Sequence, residues 1–180
     1  MNLNYKHLGM YLLAGIASGL LCRLIYTVHD VWQYVGPSLV LGAMITLAGR
    51  YISGITPRNP WLNPLVLILA SGVGWFLAFQ HGVTGGFYIG VIEAGIFGGF
   101  FVGIGLVVAW RLNSIWMVIV LTTLAGGLGG LVWGYAFRHF SIWNSSYIEV
   151  VLFQITWPSI LLLGIGIAIQ IDSRKSSIEK

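Results

Sequence analysis

FYIGVIEAGIFGGFFVGIGLVVAW, from Phe87 to Trp110, holds one charged side chain, Glu93, in an otherwise apolar and glycine-rich run. Crossing a bilayer takes about 20 predominantly apolar residues. A run this long without helix-breaking proline reads as a membrane-spanning helix. Five further stretches on either side read the same way, and together they predict spans at 8–27, 35–52, 61–79, 87–110, 114–137 and 147–171. The expectation is an all-α integral membrane protein of six transmembrane helices. It forms a single domain over residues 1–180 and ends in a short tail at 172–180. Pro37 near the start of the second span is tolerated, because the first N–H groups of a helix lack partners anyway. Pro57, Pro60 and Pro64 with Gly54 make a stiff loop before the third span.

Composition agrees. Of 180 residues 57% are hydrophobic and 8% charged, with a mean hydropathy of +0.88. Soluble domains carry about 25% charged residues, and a core this apolar would leave too little polar surface to face water. The net charge of +4 does not mark a nucleic-acid surface, because the cations are scattered one or two to a gap. Six spans put Lys6, Arg50, Arg58, Arg111, Arg174, Lys175 and Lys180 on one side and Arg138 on the other. Lys and Arg are retained on the cytoplasmic side during insertion, so both termini are expected inside. The expected setting is a bacterial inner (plasma) membrane. The first span has a weak basic start and no convincing cleavage site, and reads as a retained helix. Cys22, the single cysteine, reads as a small buried hydrophobe.

The odd spans share a pattern. Ala14-Gly-Ile-Ala-Ser-Gly19 runs up to His29, Ala70-Ser-Gly-Val-Gly74 up to His81, and Ala125-Gly-Gly-Leu-Gly-Gly130 up to His139. Three tandem helical hairpins would produce this, and so would chance matches among glycine-rich segments. Small residues four apart let helix backbones approach where lipid offers no hydrophobic drive. Such faces either pack the bundle internally or stay open to dock a partner subunit. Ala14, Gly15, Ser18 and Gly19 are the docking candidates.

Chemistry-bearing residues are few. Arg23 and Glu93 lie inside spans at similar depth in the outer half, where a charge is costly unless paired or hydrated. They predict either a buried ion pair or the lining of an outward-opening polar pocket. Gln154, Trp157, Trp75 and Trp133 are the other pocket candidates, with Pro158 shaping the sixth helix. His29, His81 and His139, at the ends of three helices, form a candidate metal site, because imidazole is a common metal ligand; alternatively they simply terminate spans at the headgroups. Their arrangement is similar to the MHYT-type sensory membrane domains, although this chain lacks the Met-His pairs of that family. No nucleophile–base pair or phosphate-binding loop is evident, so an enzyme is not expected.

Six helices with both termini inside and an outward polar pocket resemble the substrate-binding subunits of energy-coupling-factor transporters. That resemblance implies a small-molecule-binding transport subunit that docks a transmembrane partner through the small-residue face of its first helix. The alternative expectations are an accessory subunit of a larger membrane complex or a metal-binding sensor. Membrane lipid and protein partners, or further copies of the chain, are expected; nucleic acid is not. No cofactor is indicated.

Overall fold

The computed structural model describes residues 3–26, 32–84, 87–140 and 146–178, with the backbone alone at 26, 32–34, 79, 81–84, 87–88, 136–140, 146–153 and 174–178. Its elements are helices: α1 (Tyr5–Tyr26), α2 (Trp32–Tyr51), α3 (Leu62–Thr84), α4 (Phe87–Ala109), α5 (Ile115–Phe140) and α6 (Ser146–Ile178). A helix satisfies all its backbone groups internally, which suits segments this apolar to lipid. Among the described residues, four stretches are long and apolar enough to cross a membrane: Tyr5–Ile25, Ile89–Ala109, Ile115–Tyr135 and Gln154–Ser173. α3 contributes a shorter apolar run, Leu62–Ala78. These helices support a membrane-embedded chain. Its exterior is apolar too, with Leu13, Leu24, Leu69 and Leu124 all exposed.

Each helix packs on its neighbours in sequence, and α1 packs on α6, so the helices close into a ring. Glycine sets how close they come. A Cβ on Gly126 of α5 would fall on the carbonyl oxygen of Gly95 in α4, and one on Gly99 would lie 3.1 Å from the Gly126 Cα. This backbone-on-backbone seam joins α4 to α5, two helices that belong to different hairpins of the expected repeat. The small-residue face of α1 is likewise used inside the bundle. Ser18 is fully buried, and a Cβ on Gly15 or Gly19 would strike the backbone of Ser159 or Gln154 in α6. The stripe expected to dock a partner is therefore covered by α6, because closing the ring demands a close approach there.

Indole rings fill the interior. Trp157 of α6 is 3% exposed and reaches Gly98 of α4 and Gly129 of α5. Trp61 and Trp116 are exposed at helix starts, as interfacial rings should be. Trp110 differs from them: it is 1% exposed and fills the hole above Gly49 of α2.

One further departure from the sequence reading has a simple cause. α6 continues to Ile178, so most of the expected tail is helix; nothing between Ile171 and Ile178 breaks it. Pro158 deprives α6 of one N–H, yet the helix continues, with Ser159 Oγ donating to the Ile155 carbonyl at 2.6 Å. Thr122 and Thr123 donate their hydroxyls to the carbonyls of Val118 and Ile119 at 2.8 and 2.7 Å, a use of helix carbonyls that suits an apolar surround.

Candidate functional site

The residues expected to line an outer-half pocket are only partly brought together. Trp75 and Trp157 meet edge to face, ring centroids 6.5 Å apart at 62°. With Gln154, Cys22, Pro37, Leu41 and Pro158 they surround a void of about 10 Å³. That is room for about one water, whereas ligand pockets run to about 300–1,000 Å³. Gln154 is 3% exposed, and its Oε1 and the Trp157 Nε1 have no hydrogen-bond partner among the described residues. Trp133, Arg23 and Glu93 are half-buried on α5, α1 and α4 and do not line this void. Arg23, Glu93 and Trp133 are each engaged by other groups. His29 lies outside the described residues, as do the side chains of His81 and His139. Among the described residues no group of three His, Cys, Asp or Glu side chains could hold a metal ion.

The opposite end of the bundle is built differently. There the start of α1, the α2–α3 loop, the α4–α5 loop and the end of α6 are tied to one another by polar groups. The amide of Asn4 donates to Gln170 Oε1 at 2.8 Å, and Gln170 Nε2 returns a bond to the Asn4 carbonyl at 3.2 Å. Tyr11 and Ser53 share a hydroxyl–hydroxyl bond of 2.8 Å. Arg58 donates its backbone N–H to the Ala109 carbonyl at 2.9 Å and its Nε to the Trp110 carbonyl at 3.0 Å, stitching the proline-rich loop to the end of α4. Gly54 turns that loop with a φ of 63°, a conformation that glycine adopts without strain.

Asp172 is the centre of these ties. It is 4% exposed, and its carboxylate accepts the backbone N–H groups of Asn113 at 2.9 Å and Ser114 at 2.5 Å, and Asn113 Nδ2 at 3.3 Å. Negative charge is stabilised at a helix N-terminus, where N–H groups are otherwise orphaned. A side chain near the end of α6 thus caps the start of α5.

Around these ties opens a cleft of about 700 Å³, lined by His7, Ser53, Thr56, Arg111, Asn113 and Asp172 among others. Asp172 is already committed to amides and Gln170 to Asn4, so what the lining offers a ligand is cationic and hydroxylic: Arg111 and the Ser53 and Thr56 side chains, beside His7. Such a set suits a small anionic solute. Sequence reasoning missed this cleft, because Asp172 was assigned to a tail and Arg111 only to a topology signal. The one available clue was a lone acid set directly after an apolar run and before two cations. Comparisons of this chain with protein-family models, curated proteins and solved structures found no match.

Proposed function

We propose that the chain crosses a bacterial inner membrane six times, with both termini cytoplasmic, and serves as a small-molecule-binding subunit of transport type working with membrane partners. The meeting of α1's start, both intervening loops and α6's end at one pole supports an even number of crossings. Lys6, Arg50, Arg58 and Arg111 lie at that pole, which supports a cytoplasmic orientation. The shared small-residue clusters of α1, α3 and α5 support three tandem hairpins. The observation that carries the binding role is the cleft of about 700 Å³ beside Arg111 and His7. The ligand site of this reading moves from the outer half to the basic pole, since the void between Trp75, Gln154 and Trp157 admits about one water.

The test is thermal stability of the purified protein in lipid nanodiscs against a panel of small carboxylates, phosphates and amino acids. A true ligand at about a hundred times its Kd stabilises by about 2.7 kcal/mol. Arg111→Gln should remove that gain while leaving the unliganded melting point unchanged. Failure of every panel member, or an undiminished response in Arg111→Gln, argues against the cleft. The tightly filled interior around Trp157 favours a second reading, an accessory subunit that binds no solute. Stoichiometric co-purification of other membrane subunits, without any ligand response, would support it.

A further inference from the structure

A second cleft lies on the other side of the α2–α3 loop, with Ile55 and Thr56 lining both. It measures about 390 Å³ and is walled by Thr46 and Arg50 of α2, Thr56 of the loop, Asn63 of α3 and Trp110. We propose that this cleft holds the phosphodiester headgroup of an anionic phospholipid.

Charge is the first reason. Among the described residues Arg50 is the one charged side chain that lines the cleft, and it sits exposed in the last turn of α2. Its guanidinium stands 5.6 Å from the centroid of the Tyr51 ring. The in-plane N–H fork of a guanidinium is the part that matches phosphate oxygens. Asn63 is the second, independent reason. It is 7% exposed, lines the cleft, and its Oδ1 has no hydrogen-bond partner among the described residues. A buried amide carbonyl seeks a donor, and the hydroxyls of a glycerol headgroup supply one beside the phosphate. Thr46 already donates its hydroxyl to the Gly42 carbonyl at 2.8 Å, which leaves it as an acceptor for the same kind of donor.

The wall is preformed. Arg58 clamps the loop to the Ala109 and Trp110 carbonyls, and the fixed φ angles of Pro57, Pro60 and Pro64 stiffen it. The surroundings favour a lipid over a soluble phosphate. Exposed Leu47, Leu62 and Leu65 continue from the cleft along the outer faces of α2 and α3, and Trp61 is 88% exposed beside them. Acyl chains would lie on those leucines, and an indole suits the headgroup boundary. Basic pockets between helices on the cytoplasmic side are where anionic headgroups collect.

The experiment uses delipidated full-length protein in detergent. Phosphatidylglycerol, phosphatidylcholine and soluble glycerophosphate are titrated separately, with retention followed by native mass spectrometry and stability by thermal melting. Phosphatidylglycerol should be retained and should raise the melting point above the other two. Arg50→Gln should weaken it by about five- to tenfold, the contribution of one cation near a membrane surface. Asn63→Ala should weaken it less, and Lys6→Gln, which removes the same charge from the same pole, should leave it unchanged. Equal binding by Arg50→Gln, an equal loss in Lys6→Gln, or equal retention of phosphatidylcholine would overturn the proposal. So would glycerophosphate matching the lipid, which would make this a soluble-phosphate site. If Asn63→Ala does not fold, the exposed Arg50 and Lys6 variants decide the matter.

Discussion

Where Gly95 of α4 meets Gly126 of α5, only backbone lies between the helices; where Asn113 meets Asp172, a carboxylate does. The first region is the bundle's middle, closed by glycine and by the indole of Trp157, with a void of about 10 Å³. The second is the basic pole, held by hydrogen bonds over long sequence separations and bordered by clefts of about 700 and 390 Å³. Close van der Waals contact between smooth backbones leaves no space, because any gap forfeits the attraction that holds the helices together. Polar ties act at points, through loops and side chains, and they leave room between the points. The contrast teaches where this molecule can hold a ligand: where polar groups, not glycines, do the joining.

The contrast is easiest to break at the glycine seam. Gly126→Leu should cost at least ~3 kcal/mol, because the new side chain meets the α4 backbone and not a movable side chain. Thermal melting in detergent checks this; a parental melting point would mean that α4 and α5 do not approach so closely.

A smaller effect is expected in the half of the bundle away from the basic pole, where Arg23 and Glu93 lie. If Arg23 and Glu93 neutralise one another there, Arg23→Leu and Glu93→Leu should each cost about 2 kcal/mol, and the double change less than either alone, since an uncompensated charge is the expensive state. Expression and melting of the three variants measure it. Equal tolerance of all three would remove the pair and leave that half as apolar in energetics as the middle.

The smallest change is expected at the basic pole. Asp172→Ala should cost about 1–2 kcal/mol by orphaning the N–H groups of Asn113 and Ser114, and Asp172→Asn should restore part of it, because asparagine also caps helix starts. Hydrogen exchange at Ser114 would localise the loss to the start of α5. If exchange there stayed slow in Asp172→Ala, the α6 carboxylate would not be what holds the pole together.

What was legible in the primary structure was whatever each segment decides alone. The run from Phe87 to Trp110 must be helical in an apolar medium whatever its neighbours are, and so must the other long apolar runs, because a backbone without water has to satisfy itself. The stiff loop around Pro57 and Pro60 was readable for the same local reason. Tertiary structure decided the rest. It turned the Gly15–Gly19 face toward α6 and drew Trp110 into the core. It also joined Asp172 to Asn113 across the pole and thereby opened the cleft beside Arg111. Each of these depends on which helix lies opposite, and a pattern along one helix does not specify its partner: a small residue permits close approach by any backbone, and a carboxylate caps whichever helix start the fold brings to it.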